Sequence, residues 1–188
     1  MFLKRTTGLA VASLLCILEA PAQQRGRRPK LPPEESQVQQ WMAAMSLRDK
    51  IAQLIVIPFY GENPHSKSAA FRKFSTAVSE LHVGGMILVN RVRQGLAINA
   101  EPVTAAAFLN RMQKLAKVPL IAGADFERGA SMRVSGTTKF PHNMAFAAAR
   151  DLAATRKLGE VTARESRAMG VHWVFAPVAD VNNNPGNP

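Results

Sequence analysis

Residues 119–141 of this 188-residue chain read PLIAGADFERGASMRVSGTTKFP, and they decide the predicted fold. The apolar run at 120–122 follows a proline and is typical of a buried strand in a parallel sheet. That run stops at Gly123, and the acids Asp125 and Glu127 come directly after it. Burying an unpaired carboxylate is costly, so Asp125 must meet water or a ligand unless it merely caps a turn. An acid at the carboxyl end of a strand, before a loop and a helix, is typical of sites in α/β enzymes.

Length and composition describe one globular domain. A chain of 188 residues has room for about one domain, and its 47% hydrophobic residues exclude disorder throughout. The net charge of +11 raises the question of a nucleic-acid partner, but part of it lies in residues 23–35, a basic linker rich in Pro and Gln. The other basic residues are scattered, without interleaved aromatic residues, so we expect no nucleic-acid partner. Attraction to anionic wall polymers or membrane surfaces is compatible with this charge.

Residues 1–22 have the composition of an export signal. A positive start at residues 4–5 precedes an apolar stretch at 8–18, which is too short for a stable membrane span, and residues 20–22 read APA before the cleavage point. Cys16 is the only cysteine and lies inside this signal, so the mature chain would have neither disulfide nor thiol chemistry. The sequence therefore predicts an exported protein, periplasmic or extracellular.

Four apolar runs predict the strands of a parallel sheet. Residues 46–49 read SLRD and resemble a capping box that leads into the first run. Polar residues follow the second run (Asn90 and Arg91), as Asp125 follows the third, and Asp180 lies at the far end of the fourth. The predicted strands are residues 55–57, ending near Pro58, and residues 86–89, 120–122 and 171–181.

Helical patterns separate these runs. Ser36 is predicted to cap a first helix, and residues 71–81 carry phenylalanine and aliphatic residues at helical intervals. Pro102 suits the first turn of the next helix, and the Ala-rich residues 143–169 predict a further helical region that is broken near Asp151. Strands that alternate with helices imply parallel pairing through right-handed crossovers.

Four such β/α units are half of an eight-stranded barrel. A whole barrel takes about 250 residues, and residues 36–188 are too few for one. The sequence therefore predicts an α/β fold of the (β/α)8 TIM type, of which only about the first four units are present. We expect the chain to be an N-terminal fragment whose partner is the C-terminal remainder of the barrel, with or without further domains.

Two motifs carry a family resemblance. The segment DFERG at 125–129, with Arg133 and the FP pair at 140–141, resembles the D-x-E-x-G…R…FP signature of glycoside hydrolase family 3. Residues 165–181, with ESRAMG followed by FAPVADV, are similar to the family's E-x-R-A-x-G…FAPVxDV run. The match covers essentially the whole mature chain, so residues 36–188 resemble the N-terminal half of the family's barrel domain.

The resemblance implies an exported retaining exo-β-glycosidase that hydrolyses O-glycosyl bonds of an oligosaccharide. The bacterial branch with the D-x-E-G-G and FAPVxDV motifs consists largely of β-N-acetylglucosaminidases acting on cell-wall fragments or chitin oligomers. Arg128 and Ala130 depart from the pattern of that branch, so a β-glucosidase of the same family and a non-catalytic carbohydrate-binding barrel remain alternatives.

The resemblance also assigns site residues. Asp125 matches the carboxylate that accepts hydrogen bonds from hydroxyls of the terminal sugar, a role that suits an acceptor-only group. Arg133 matches a basic residue of the same loop, and it supports either the loop or an acid.

No catalytic residue is assigned within this chain. Retention requires a nucleophile and an acid/base, and the family's groups for both are expected beyond Pro188. The four histidines, His65, His82, His142 and His172, do not match the acid/base position. We therefore expect this fragment alone to be inactive, with no cofactor and no metal site.

Overall fold

The computed structural model describes residues 32–181, 183, 184 and 186, and a four-stranded parallel sheet forms its centre. The predicted export signal, Cys16 and most of the linker lie outside these residues. The sheet has the strand order β1-β2-β5-β6, with the strands at Val56–Phe59 (β1), Gly85–Leu88 (β2), Ile121–Ala124 (β5) and Trp173–Val174 (β6). The predicted α/β class and the parallel pairing are confirmed.

Helices precede the first strand and connect the later strands of the parallel sheet. They lie at Pro33–Ala44 (α1), Leu47–Ala52 (α2), Ala69–Ser79 (α3), Pro102–Leu115 (α4), Asn143–Ala149 (α5) and Leu152–Ala168 (α6), with a 3-10 turn at Ala130–Met132. No helix in the described ranges is both long enough and apolar enough to span a bilayer.

The core lies between the sheet and helices α3 and α4. Phe108 of α4 is fully buried, with its ring centroid 5.6 Å from that of Phe59 in β1 and 5.1 Å from that of Phe74 in α3. Met86 of β2 and Met112 of α4 are also fully buried in this cluster. Burial of these apolar side chains drives the sheet and the two helices together.

Short polar side chains and a proline define where several helices begin. Ser46 and Asp49 form the predicted capping box, with both reciprocal hydrogen bonds present. Pro102 occupies the first turn of α4, as predicted. Asp151 accepts hydrogen bonds from the backbone N–H groups of Ala153 and Ala154, at 2.8 and 3.0 Å, which confirms the predicted break between α5 and α6.

The predicted start of the first helix and the predicted end of the third parallel strand are wrong. Helix α1 begins at Pro33, so Ser36 lies inside it and is not its cap; a proline at this position needs no N–H partner and already has a helical φ. Strand β5 continues through Gly123 to Ala124, because both residues pair with the neighbouring strand β2. A prediction from the run of apolar residues alone does not include this pairing.

The fourth strand is much shorter than predicted. Only Trp173–Val174 pairs as a strand, although the Phe175 N–H still donates to the Ala124 carbonyl at 3.0 Å. Pro177 has no N–H to continue the ladder, and Asp180 therefore lies in an exposed segment after the strand and not at its end.

An antiparallel hairpin, absent from the sequence prediction, follows β2. It consists of Arg91–Arg93 (β3) and Leu96–Ile98 (β4), and both turn residues have positive φ, 50° at Gln94 and 77° at Gly95. Positive φ at both central positions is the signature of the type I′ turn, whose twist matches that of the strands.

Candidate functional site

Three polar side chains meet at the carboxyl edge of the parallel sheet. Asp125 follows β5 and Asn90 follows β2, and these two strands pair so that Leu88 lies opposite Ala124. Arg133 joins the two polar residues: its Nη2 donates to Asp125 Oδ2 at 2.9 Å, and its Nη1 donates to Asn90 Oδ1 at 2.6 Å. The structure therefore brings the two residues singled out from the sequence, Asp125 and Arg133, into direct contact.

The backbone around Arg133 is pinned to the segment after the hairpin. The Ala100 N–H donates to the Arg133 carbonyl at 2.7 Å, and the Ser135 N–H donates to the Ala100 carbonyl at 2.9 Å. The 3-10 turn at Ala130–Met132 lies between the DFERG motif and Arg133. The guanidinium group is therefore fixed from its backbone as well as from its two acceptors.

A second asparagine extends this network. Asn90 Nδ2 donates to Asn99 Oδ1 at 2.8 Å, and Asn99 Nδ2 donates to the Ser131 carbonyl at 2.9 Å. Asn99 was missed by the sequence analysis because only the hairpin brings it back beside Asn90. The signal that could have found it is the Gln94–Gly95 pair, a two-residue turn between short runs of extended character.

Asp125 retains free acceptor capacity. Its side chain is 31% exposed, and within the described residues no hydrogen bond reaches its Oδ1 atom. An ionised carboxylate accepts through both oxygens, so Oδ1 can accept from a hydroxyl group while Oδ2 remains on Arg133. A partly exposed ion pair adds little to stability, which leaves positioning of the carboxylate as its main effect.

The glycine of the DFERG motif is required by the backbone. Gly129 has a φ of 92°, and a Cβ atom added there would lie 2.9 Å from Cδ2 of Phe140. The second motif contributes to the same loop, because Glu165 Oε1 accepts from the N–H of Thr138 at 3.0 Å and from its hydroxyl at 2.7 Å. Both motifs therefore shape one loop beside Asp125.

A charged group lies next to this network. Arg91, in the hairpin, donates to Glu62 Oε2 at 2.9 Å, and its guanidinium carbon lies 5.2 Å from the ring centroid of Tyr60. Glu62 and Tyr60 belong to the loop that follows β1. Side chains that follow three of the four parallel strands thus contribute to the carboxyl edge.

An apolar cavity lies beside the segment that follows Asp125. It has a volume of about 490 Å³, lies between α5, α6 and the segment after β6, and is lined mostly by apolar groups such as Phe126 and Phe146. Neither Asp125 nor Arg133 lines it. Its apolar walls do not suit the hydroxyl groups of a sugar, so the polar network is the better candidate site.

The histidines lie away from this network. His82 and His172 precede β2 and β6, at the amino edge of the sheet: His82 Nδ1 lies 2.7 Å from Asp49 Oδ1, and His172 Nε2 accepts from the Ala122 N–H at 3.3 Å. His65 accepts from the Lys67 N–H, and His142 immediately precedes α5. Among the residues described, no histidine contacts Asp125 or Arg133, and no three side chains of the metal-binding type cluster together.

Local hydrogen bonds lower the pKa of two carboxyl groups, those of Asp49 and Glu101. The hydrogen bond from His82, followed by those from Ser46, lowers the pKa of Asp49 far below its usual value. Hydrogen bonds from Thr104 and from the N–H groups of Val103 and Thr104 lower the pKa of Glu101, which caps α4. Both groups stabilise structure, and neither contacts Asp125.

Comparisons with known proteins agree with the motifs. Residues 46–188 match the profile of the glycosyl hydrolase family 3 N-terminal domain. The chain is 33% identical over 147 residues to a β-N-acetylglucosaminidase/β-glucosidase of Cellulomonas fimi, covering 78% of this chain and 23% of that protein. It is 35% identical over 114 residues to a β-hexosaminidase of Thiobacillus denitrificans, covering 56% of this chain and 30% of that protein.

The fold has a counterpart among solved structures. A β-glucoside phosphorylase superposes with a TM-score of 0.68 at 26% identity, over 84% of this chain and 26% of that one. The chain thus spans less than a third of the length of each of these relatives. The TIM-type barrel predicted from the alternation of strands and helices agrees with these matches.

Proposed function

Because this chain belongs to glycosyl hydrolase family 3, we propose that the full-length protein is an exported retaining exo-β-glycosidase that hydrolyses O-glycosyl bonds. The chain would contribute to the part of the site that holds the terminal sugar. The observation that carries this role is the Asp125 carboxylate, held at the carboxyl edge of the sheet by Arg133 with one oxygen left to accept from sugar hydroxyls.

The chemistry divides between this chain and the remainder of the barrel. In a retaining reaction a carboxylate attacks the anomeric carbon while an acid protonates the leaving oxygen, and water then releases the sugar from the enzyme. We place both groups beyond Pro188. In this chain Asp125 and Arg133 are substrate-binding residues, and no cofactor enters the proposal.

We propose a β-N-acetylglucosaminide of cell-wall or chitin type as the substrate. Support comes from the names of the Cellulomonas and Thiobacillus relatives, a β-N-acetylglucosaminidase/β-glucosidase and a β-hexosaminidase. The first of these names also supports the alternative of a β-glucosidase. The similarity to a β-glucoside phosphorylase adds inorganic phosphate as a possible acceptor in place of water.

The test is an assay of the full-length protein on aryl β-N-acetylglucosaminide and aryl β-glucoside, each with and without inorganic phosphate. Release of the aryl group from either substrate supports the glycosidase, and the faster substrate identifies the sugar. A phosphate-dependent rate with a sugar phosphate as product would replace hydrolysis by phosphorolysis. Sugar binding without turnover would favour a non-catalytic barrel. A full-length protein that neither binds nor cleaves these sugars would refute the proposal.

Export has its own test. We propose that residues 1–22 direct the protein out of the cytoplasm, with the mature protein periplasmic or extracellular. Fractionation of cells that express the protein with and without these residues should show export only of the first. Equal distribution of both proteins would contradict the signal.

A further inference from the structure

Asn90 occupies the junction of three segments at the carboxyl edge. Its Oδ1 accepts from Arg133 Nη1 at 2.6 Å, and its Nδ2 donates to Asn99 Oδ1 at 2.8 Å and to the Ile98 carbonyl at 3.3 Å. It thereby connects the end of β2 with the end of the hairpin and with the loop that carries Arg133. Asn90 itself makes no hydrogen bond to Asp125 within the described residues.

The orientation of the Asn90 amide follows from its partners. A guanidinium group only donates, so the amide atom that faces Arg133 must be the oxygen. The amide nitrogen then faces the hairpin, where two oxygens accept from it. The two atoms of the amide therefore have different partners: the oxygen accepts from Arg133, and the nitrogen donates to the end of the hairpin.

The acceptor on Nη1 determines the direction of the second nitrogen, which contacts Asp125. Arg133 presents two terminal nitrogens, of which Nη1 is taken by an uncharged amide and Nη2 by the Asp125 carboxylate. A planar guanidinium held at Nη1 cannot rotate freely, so Nη2 stays directed at Asp125 Oδ2. Oδ1 then keeps one fixed direction in which to accept from a hydroxyl group.

We propose that Asn90 is a positioning residue for sugar binding, which acts through Arg133 to fix the Asp125 carboxylate. This inference rests on the proposed function, since it concerns the same sugar site. It identifies a residue outside both family motifs as a determinant of substrate affinity. Asn90→Ala should raise KM roughly tenfold with kcat nearly unchanged, the size expected for one lost hydrogen bond to a charged group.

Comparison of two variants separates the two ends of the side chain. Asn90→Asp keeps an oxygen opposite Arg133 but loses the N–H groups that tie the hairpin. If Asn90 acts through Arg133, KM of Asn90→Asp should remain within about threefold of the wild type, less than the loss of a charged hydrogen bond. If it acted only as a hairpin tie, Asn90→Asp would be impaired at least as much as Asn90→Ala, and the inference would be overturned.

A matched control exists at another asparagine–arginine pair. Asn63 accepts a hydrogen bond from Arg111 and, in the described part of the chain, shares no hydrogen bond with Asp125, Arg133 or Asn90, so Asn63→Asp should leave KM unchanged. If Asn90→Ala does not fold, Asn90→Gln displaces both groups by one methylene and should show the same rise in KM. An unchanged KM in a folded Asn90→Ala or Asn90→Gln protein would contradict the proposal.

Crystal structures of the full-length variants give a readout that does not depend on turnover. The contact between Arg133 Nη2 and Asp125 Oδ2 should be lost in Asn90→Ala and kept in Asn90→Asp. A wild-type protein inactive on both aryl glycosides would refute the proposed function, whereas this contact would still decide the role of Asn90. If Asn90→Ala keeps the contact at about the 2.9 Å seen here, Asn90 does not position Arg133.

Discussion

Arg133 and Asp125 are joined by a 2.9 Å contact between Nη2 and Oδ2, although an irregular loop separates them in the sequence. Both side chains are partly exposed, at 24% and 31%, so the pair is hydrated and adds little to the free energy of unfolding. Its effect should therefore appear in substrate affinity and not in thermal stability.

Replacement of the carboxylate tests the sugar contact directly. Asp125→Asn keeps the shape of the side chain but loses the negative charge, so kcat/KM on the better aryl glycoside should fall about 100-fold, as expected for lost charge-assisted hydrogen bonds. Steady-state kinetics measure the fall, and Tm should stay within about 2 °C because the change is at a partly exposed site. Glu160→Gln, at an exposed position of α6, is the control. Full activity of Asp125→Asn would remove Asp125 from the site.

Replacement of the arginine tests its forked geometry. Arg133→Lys keeps the charge, but one ammonium group does not reproduce two parallel donors, so KM should rise about tenfold. Lys157→Ala breaks an exposed ion pair with Glu160 and should change nothing measurable. If the lysine variant binds substrate as well as the wild type, charge alone is sufficient and the contact to Asn90 is not needed.

The amino edge of the sheet should give an acid-sensitive contribution to stability. The pKa of Asp49 is lowered from 3.8 in the folded state. The ionised Asp49 carboxylate therefore adds to the free energy of unfolding above pH 3.8, and this addition is lost progressively as the pH falls below that value. The substitution Asp49→Asn should lower Tm at pH 6, and the difference in Tm between the variant and the wild type should become smaller towards pH 3. Thermal unfolding, monitored by circular dichroism, measures the Tm of both proteins at each pH. A difference that is constant with pH would mean that the carboxylate charge is not responsible.

Two glycine substitutions should have opposite effects. A Cβ atom at Gly84 would lie 1.8 Å from the Gln53 carbonyl oxygen, so Gly84→Ala must shift the backbone and should cost about 3 kcal/mol or more. Gly159 lies within α6 with open space around it, and Gly159→Ala should stabilise by about 0.5–1 kcal/mol through helix propensity. Denaturant unfolding measures both changes. Equal effects of the two substitutions would contradict the close packing at Gly84.

Residues 23–188 expressed alone should associate. Within the described sheet, β1 and β6 each pair on one side only, and large apolar side chains near them are exposed, including Leu54, Trp173 and Val178. Open strand edges and exposed apolar patches favour self-association. Size-exclusion chromatography should show aggregates or a loosely folded species without glycosidase activity. A monomer that unfolds cooperatively would contradict this expectation.

The sequence predicted the sheet better than the site. Apolar runs and helix caps identify strands and helices because each reflects local chemistry, and parallel pairing then places Asn90 and Asp125 at one edge. The two contacts of the Arg133 guanidinium group, to Asn90 and to Asp125, were not predictable from the sequence. The direction of that side chain depends on the 3-10 turn and on the backbone pairing with the segment at Ala100. The short fourth strand was also missed, because apolar composition does not report the missing N–H of Pro177.

The hairpin has a consequence for how the chain tolerates change in length. A hydrogen bond between Asn90 and Asn99 joins its two ends, whereas no described residue outside the turn approaches within 4 Å of the position that a Cβ atom would take on Gly95 at its tip. Residues inserted at the tip can therefore leave Ala100 and its pairing with the Arg133 loop in place. The tip is accordingly a position at which a peptide tag or a fluorophore could be introduced beside the proposed sugar site without altering the residues that form it.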